Sequence, residues 1–212
     1  MSSIIGVLLV DDHAIVREGY RRVLEGEPDI RVIGEASDAT EARERCVALN
    51  PDVLVMDIAL PGLSGIDATR RMLKDQPRLR VLMLSMHADA IYATRALAAG
   101  ALGYLSKSSA PEVLLEAIYA VARGEQFLSA DVANNMHRAD RQSGKSDLES
   151  LTPREFEVLR LLVQGDTVKS IGEKLGLSDK TVANHQSAIR EKLGSRNSVQ
   201  LTLLAQVWGF LP

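Results

Sequence analysis

The chain has one cysteine, few aromatic residues and no long apolar run. Cys46 is its only cysteine, so an internal disulfide is impossible, as expected in a reducing compartment. Aromatic residues make up 4% of the 212 residues, whereas 46% are hydrophobic, so aliphatic side chains must fill the core. No apolar run approaches the roughly 18 residues of a membrane span, and no signal-peptide pattern is present. We therefore expect a cytoplasmic protein that does not enter a membrane.

Charge is nearly balanced over the chain but is distributed unevenly. The net charge is −3, which by itself argues against a nucleic-acid partner. Residues 1–124 carry 14 Lys and Arg against 17 Asp and Glu, whereas residues 148–212 carry 8 against 7. Within residues 180–196, four basic residues stand against one acidic residue. This local excess predicts a modest basic patch near the C-terminus.

The first half of the chain alternates between strand and helix patterns. Helical patterns up to residue 123 separate five short apolar runs, which lie at about 4–10, 30–36, 52–56, 80–84 and 102–105. Such runs between turn signals are typical of buried strands, and alternating strands and helices form helix-covered parallel sheets. Residues 1–124 are therefore predicted to form an α/β domain with a doubly wound, five-stranded parallel sheet.

The second half of the chain has a different pattern. Residues 125–147 are hydrophilic, which indicates a linker, although 130–139 could form a short helix within it. Residues 148–212 show no strand pattern and predict an all-α domain of four helices, at about 153–164, 168–175, 179–193 and 197–207. The first of these helices should begin at Thr152, because Glu155 follows it at the spacing of a capping box.

Four of the apolar runs end in side chains that a phosphoryl-transfer site uses. They are Asp11, Asp12, Asp57, Ser85 and Lys107, and they should converge because ligands bind at the carboxyl ends of such strands. Mg²⁺ prefers oxygen ligands, so Asp12 and Asp57 are predicted as direct ligands and Asp11 as a direct or water-mediated one. A carboxylate can attack phosphorus to form an acyl phosphate. Asp57 is the predicted phosphoacceptor, with Lys107 and Ser85 binding phosphoryl oxygens.

Each of these residues also has a simpler interpretation. Asp11 and Asp12 could cap the following helix, and Asp57 could be an ordinary loop acid. Ser85 could be a turn hydroxyl and Lys107 a solvated base. Their joint placement at four strand ends favours a shared site over five unrelated roles.

Four motifs in this half resemble the receiver domain of bacterial two-component response regulators: VLLVDDH, DVLVMDIALPGLSG, VLMLSMH and GALGYLSK. The resemblance implies a flavodoxin-like fold and phosphoryl transfer to Asp57 from a partner histidine kinase. It also implies that Mg²⁺ is bound by Asp11, Asp12, Asp57 and the backbone carbonyl of Ala59.

The same resemblance implies a pair of switch residues. Ser85 would move toward the phosphoryl group, and Tyr104 would swing inward behind it. The alternative for Tyr104 is an ordinary half-buried aromatic residue of a strand. Many receivers have a proline directly after the lysine, whereas this chain has Ser108.

The C-terminal part contains a pattern suited to nucleic acid. Residues 168–193 predict two helices joined by a short turn at 176–178. Three apolar residues share one face of the second helix and should be buried, namely Val182, Ile189 and Leu193. The opposite side presents small, amide and basic residues: Lys180, Ala183, Asn184, Ser187, Arg190 and Glu191.

Such a helix face suits the major groove of double-stranded DNA. Asn can pair with adenine, and Arg can pair with guanine or contact phosphate. Three further residues are better placed for phosphates, namely Thr181, Lys192 and Arg196. The alternative is a helix face that is merely solvated.

Residues 151–205 resemble the LuxR-type helix-turn-helix of the NarL/FixJ regulators. The matching segments are LTPREFEVLRLLVQG, IGEKLGLSDKTVANH and IREKL. The family often has lysine where this chain has Ala183 and Ser187, so its target sequence is expected to differ.

Together the motifs predict a phosphorylation-controlled transcription regulator that binds double-stranded DNA and is a homodimer when active. A regulator that binds DNA without phosphorylation is one alternative, and a phosphatase or phosphotransferase with Asp57 as nucleophile is another. Haloacid-dehalogenase-type phosphatases need an acid two residues after the nucleophile, and Ala59 occupies that position. The chain is therefore not expected to be an enzyme beyond slow phosphorylation and dephosphorylation of Asp57 itself.

Overall fold

The computed structural model describes residues 4–86, 88, 90–140 and 150–195. The chain divides into two compact units, the first ending at Ala139 and the second beginning at Asp140. In the described part of the chain, no helix is both long and apolar enough to cross a membrane.

The first unit is a doubly wound α/β fold, as the sequence predicts. Its strands are β1 (Ile5–Val10), β2 (Ile30–Ala36), β3 (Val53–Asp57), β4 (Val81–Ser85), β5 (Gly103–Ser106) and β6 (Phe127–Leu128). Between them lie helices α1 (Ala14–Leu24), α2 (Ala39–Leu49), α3 (Gly65–Asp75), α4 (Ala90–Ala98) and α5 (Pro111–Ala122), and α6 (Ala130–Asp140) follows β6.

All neighbouring strands of the sheet are parallel, in the order β2-β1-β3-β4-β5-β6. The chain leaves β1 for β2 on one side and continues from β3 on the other. The gap between the carboxyl ends of β1 and β3 is therefore the topological switch point, where such sheets bind ligands. This topology places the ends of β1, β3, β4 and β5 along one edge.

Helices cover both faces of this sheet. On one face, alternate strand residues such as Val7, Val55 and Leu84 form a buried cluster with apolar residues of α1 and α5. The residues between them point to the other face, where Thr69 Oγ1 of α3 lies 3.5 Å from Met83 Sδ. Because both faces are buried, the strands are nearly continuous aliphatic runs.

The sheet has six strands rather than the five that the sequence predicts. The sixth, β6, lies inside the predicted linker 125–147 and is held by the Phe127 amide, which donates to the Leu102 carbonyl (3.0 Å). A two-residue strand is too short to show an alternating pattern in the sequence. Helix α6 covers the 130–139 segment that could be helical, and Val132 on it is fully buried.

The described part of the second unit contains three helices, α7 (Pro153–Val163), α8 (Val168–Leu175) and α9 (Asp179–Lys192). The capping box predicted at the start of α7 is present, with Thr152 and Glu155 each accepting the other's backbone N–H. Glycine at 176, with φ 62°, ends α8 in the left-handed conformation. The fourth predicted helix, 197–207, lies outside the described residues.

Candidate functional site

Lys107 joins two of the predicted acidic residues at the switch point. Its Nζ donates to Asp11 Oδ2 at 2.5 Å and to Asp57 Oδ2 at 2.7 Å. The three side chains are nearly buried, with 7% of Lys107 and 3% of each aspartate exposed. Asp11 follows β1, Asp57 ends β3, and Lys107 follows β5, so the parallel sheet alone brings them together. The predicted convergence of these three residues is present.

Burial sets the protonation behaviour of this cluster. It raises the pKa of Asp57 above its ordinary value, although the nearby Lys107 ammonium opposes that shift. Burial also disfavours the ammonium form of Lys107, but the carboxylates of Asp57 and Asp11 outweigh it and raise the pKa of the amine. Lys107 therefore stays a cation that balances part of the carboxylate charge.

Asp12 is the accessible member of the acidic set. About a third of its side chain is exposed (31%), and its Oδ1 lies 2.7 Å from Nδ1 of His13. The backbone N–H of His13 donates to Asp11 Oδ1 at 2.9 Å. His13, and neither aspartate, occupies the cap position before α1. The interpretation of the two acids as helix caps is therefore not supported, and His13, which ends the VLLVDDH motif, joins the cluster although it is not among the predicted site residues.

The donors of this cluster suit a divalent cation. Three carboxylates against one ammonium leave a formal charge of −2, and carboxylate oxygens are the ligands that Mg²⁺ prefers. In the described part of the chain, ligand atoms of Asp11, Asp12 and His13 lie within 4.8 Å of one another. Asp57 is outside this tight group and connects to it through Lys107, whereas the sequence predicts Asp12 and Asp57 as the two direct ligands.

The loop after Asp57 is fixed by backbone hydrogen bonds and by the close approach of Gly65. The N–H of Ala59 donates to Asp57 Oδ1 (3.3 Å), and Ala59 itself is exposed. Gly65, the first residue of α3, donates its N–H to the Ile58 carbonyl (2.9 Å). A Cβ at Gly65 would lie 1.9 Å from the carbonyl oxygen of Asp57, so no larger residue fits. Gly62 lies in the same loop with φ 75° and open space around it.

Ser85 and Tyr104 lie on adjacent strands beside this cluster. Ser85 is paired with Ser106 in the β4–β5 ladder, and the Lys107 N–H donates to the Ser85 carbonyl (2.7 Å). Ser85 is 4% exposed and Tyr104 is fully buried, so the alternative of a half-buried aromatic residue at 104 does not hold, and its switch role stays a prediction. The Ser108 hydroxyl lies 2.7 Å from that of Ser106, which closes a turn after the lysine.

Helix α9 of the second unit has one buried and one exposed side, as the sequence predicts. Val182 and Ile189 are fully buried and Leu193 is 8% exposed. Arg154 of α7 holds the end of α8, since its Nη2 donates to the Leu175 carbonyl (2.6 Å), while its Nη1 donates to Glu157 (2.5 Å). Among the predicted contact residues, Lys180, Ala183, Asn184, Ser187, Glu191 and Lys192 are exposed, whereas Thr181 and Arg190 are half-buried.

Of the three predicted phosphate contacts, Lys192 has an acidic partner within the second unit. Lys192 Nζ lies 2.6 Å from Glu155 Oε2, so the ammonium holds α9 against the capping box of α7. The sequence gave no clue to this partner because the two residues are 37 positions apart. Arg196 lies outside the described residues.

The first unit is doubly wound and has a cluster of acids and a lysine at its strand ends. The second unit is helical and has a helix with a polar, exposed face. This combination is typical of two-part regulators. Comparison with known proteins agrees with this class. Residues 7–119 match the response regulator receiver domain, and residues 149–205 match the bacterial regulatory proteins of the luxR family. The chain therefore belongs to the NarL/FixJ-type response regulators, which are transcription regulators with a receiver and a LuxR-type helix-turn-helix domain.

Similar proteins span nearly the whole chain. The response regulator UvrY of Escherichia coli K12 is 37% identical over 95% of this chain and 93% of its own length. The transcriptional regulatory protein LiaR of Bacillus subtilis is 42% identical over 95% and 96%. Among solved structures, RcsB from Salmonella enterica serovar Typhimurium is 30% identical over 97% of this chain and 98% of that one, with a TM-score of 0.67.

Proposed function

We propose that this regulator accepts a phosphoryl group on Asp57 from a histidine kinase and that the modification controls its binding to double-stranded DNA. The observation that carries the proposal is the Lys107 amine, which bridges Asp11 and Asp57 in a buried acidic cluster. This arrangement provides a nucleophile, a cation for a phosphoryl oxygen, and carboxylates for a metal ion at one strand edge.

In the proposed reaction, a carboxylate oxygen of Asp57 attacks phosphorus. A P–O bond forms to Asp57 as the P–N bond to the kinase histidine breaks, and the electron pair of that bond stays with the imidazole. Lys107 then pairs with a phosphoryl oxygen, and the Ser85 hydroxyl donates to another. When bound by Asp11, Asp12, Asp57 and the Ala59 carbonyl, Mg²⁺ offsets the negative charge between nucleophile and phosphoryl group.

The contact between Ser129 and Tyr104 supports a route for the phosphorylation signal toward the second unit. Phosphorylation adds roughly −1.5 to −2 charges, by analogy with phosphoserine, and such a change must bias a two-state element. We assign that element to Ser85 and Tyr104. The Ser129 N–H donates to the Tyr104 carbonyl (3.3 Å), so the start of α6, which leads toward the second unit, lies beside Tyr104.

The proposed output is binding of α9 to a major groove. Lys180, Ala183, Asn184 and Ser187 form its exposed contact face, with Thr181 and Arg190 at its margins. RcsB, which is similar along its whole length, has been observed on promoter DNA with the phosphomimetic BeF₃⁻ and as dimers on DNA. By this likeness the present chain should bind as a homodimer to half-sites about 10 bp apart. Its DNA target places the proposed activity in the cytoplasm.

The proposal is tested by measuring DNA binding of the full chain before and after treatment with a small phosphodonor. We expect tighter binding by wild type after treatment, together with the mass increase of one phosphoryl group, and neither change in Asp57→Asn. Asp75→Asn removes an exposed acid from the same unit and should behave like wild type.

Three other results would each contradict one part of the proposal. An equal response of wild type and Asp57→Asn would exclude control by phosphorylation of Asp57. Phosphorylation without any change in DNA binding would favour a regulator that does not need the modification. Rapid multiple turnover of a small phosphate ester would instead favour the enzyme alternative.

A further inference from the structure

Arg17 connects the acidic cluster to the carboxyl end of the neighbouring strand β2. It lies on α1, and its Nη1 donates to the backbone carbonyl of Asp11 at 2.5 Å. Its Nε donates to Glu35 Oε2 on β2 at 2.9 Å. The Arg17 side chain is only 16% exposed and reaches from the Asp11 backbone to the Glu35 side chain, which is 27% exposed.

Glu35 is itself fixed, which makes it a firm anchor for Arg17. Arg21, one helical turn further along α1, donates to Glu35 Oε1 from Nε (2.8 Å) and from Nη2 (2.6 Å). Burial alone would raise the pKa of Glu35, but the hydrogen bonds from Arg17 and Arg21 outweigh it and hold the pKa below its usual range. Glu35 is therefore a carboxylate at neutral pH, with one oxygen for each arginine.

The carbonyl that Arg17 binds belongs to the peptide bond between Asp11 and Asp12. The orientation of this peptide sets the directions in which the two carboxylates leave the backbone. The other side of Asp11 is also held, because its N–H donates to the Ala36 carbonyl at the end of β2 (3.2 Å). Arg17 and the end of β2 together fix the backbone from which both acids project.

We propose that Arg17 is a positioning residue for the divalent-cation site, acting through the Asp11–Asp12 peptide and anchored by Glu35. This inference rests on the proposed Mg²⁺ site and names a residue that controls its affinity. Arg17 does not touch the metal ion or the phosphoryl group. It holds the ligand backbone in the orientation that binds the ion.

A role of Arg17 through its charge and a role through positioning predict opposite effects on Mg²⁺ binding. A cation near a metal site opposes metal binding, so a role through charge alone predicts that removing it tightens Mg²⁺ binding. A positioning role predicts the opposite, because the ligand backbone loses its support. Loss of residues that orient metal ligands typically weakens metal affinity by about 10- to 100-fold.

The experiment is calorimetric titration of the full, unphosphorylated chain with Mg²⁺. We expect Arg17→Met to bind Mg²⁺ about 10-fold more weakly than wild type. Arg17→Lys keeps the charge but cannot bridge a carbonyl and a carboxylate in the same way, and it should also bind more weakly. Arg22→Met removes an equal charge from an exposed position on the same helix and should match wild type.

The outcomes separate this inference from the proposed function. Tighter binding by Arg17→Met with unchanged binding by Arg17→Lys would show a role of charge alone and overturn the inference, as would wild-type affinity in both. If wild type itself binds no Mg²⁺, the proposed metal site fails and the inference fails with it. Circular dichroism without Mg²⁺ checks folding, and if Arg17→Met does not fold, Arg17→Lys decides alone.

Discussion

The side-chain amide of Asn135 donates a hydrogen bond of 2.9 Å to the backbone carbonyl of Ala88. Ala88 lies between Ser85 at the end of β4 and the start of α4, whereas Asn135 lies on α6, which leads toward the second unit. Together with the Ser129–Tyr104 hydrogen bond, this contact connects α6 to the surroundings of both proposed switch residues. A movement of Tyr104 would therefore reach the residue before α6 through one hydrogen bond.

Asn135→Ala is expected to weaken the coupling between phosphorylation and DNA binding. A hydrogen bond contributes about 1 kcal/mol, so the gain in DNA affinity on phosphorylation should fall by up to about fivefold. Fluorescence anisotropy with phosphorylated and unphosphorylated protein measures this gain. Asn134→Ala, at the exposed neighbouring position, is the matched control. An identical gain in both variants and wild type would contradict a role for Asn135.

Lys107→Met should destabilise the first unit in a way that Mg²⁺ partly reverses. Removing the ammonium leaves the buried carboxylates of Asp11 and Asp57 without their partner, which costs about 3–5 kcal/mol. Mg²⁺ should restore part of this free energy because it binds only the folded cluster. Thermal unfolding with and without Mg²⁺ measures both effects. Lys74→Met, on the surface of α3, should match wild type in stability and in its response to Mg²⁺, and equal stabilisation of all three proteins by Mg²⁺ would contradict the proposed cluster.

Lys180 and Asn184 are expected to contribute to DNA binding in different ways. Lys180→Ala should weaken binding to all sequences alike and lower the slope of affinity against salt concentration by about 1, as loss of one phosphate contact does. Asn184→Ala should instead reduce discrimination at one base pair, by about 1–3 kcal/mol. Anisotropy titrations on a target and on single-base variants at several salt concentrations separate the two. A uniform loss in Asn184→Ala would exclude base recognition there.

The second unit should lose stability as the pH falls below the ordinary range of a glutamate. Burial alone would raise the pKa of Glu155, but hydrogen bonds from Lys192 and the Thr152 backbone outweigh it and hold the pKa below 4.5. A group whose pKa is lowered by folding stabilises the fold above its unfolded pKa and loses that contribution as pH falls through the folded one. Stability should therefore decline below about pH 4.5, as measured by hydrogen exchange of α7 amides.

Lys192→Met tests the ion pair with Glu155 together with the predicted phosphate contact of Lys192. This variant should have a lower stability at neutral pH and a smaller decline toward acid, since Glu155 loses its cation. The salt dependence of its DNA binding should equal that of wild type. A slope lower by about 1 would instead show that Lys192 contacts phosphate.

The fold was largely predictable because both halves have strong periodic patterns. The predicted strand ends nevertheless stop one residue early, since β3 includes Asp57 and β4 includes Ser85. An apolar run ends at its last apolar residue, whereas the ladder continues through the polar one, as the Asp57–Leu84 and Ser85–Ser106 pairs show. The apolar pattern thus predicts β3 and β4 but omits their last residues, Asp57 and Ser85, which belong to the candidate site.

The candidate site was predictable only where strand ends position it. Asp11, Asp57 and Lys107 follow from the parallel topology, because each directly ends or follows a strand. The partners Arg17 and Glu35 do not, because an arginine on a helix and a glutamate on a strand 18 residues away have no pattern of their own. Their contact depends on how α1 packs on β2. The same holds for Asn135 and Lys192, whose partners are far away in the chain.

The loop after Asp57 also limits how this protein can diversify. Gly62 needs only its left-handed backbone, which asparagine or aspartate can adopt at modest cost. Gly65 has no room for a single additional carbon beside the Asp57 carbonyl. A library that randomises the loop to change kinase choice should therefore vary residue 62 sparingly and leave residue 65 untouched. Otherwise most clones would lose the acceptor's geometry before any new specificity could be selected.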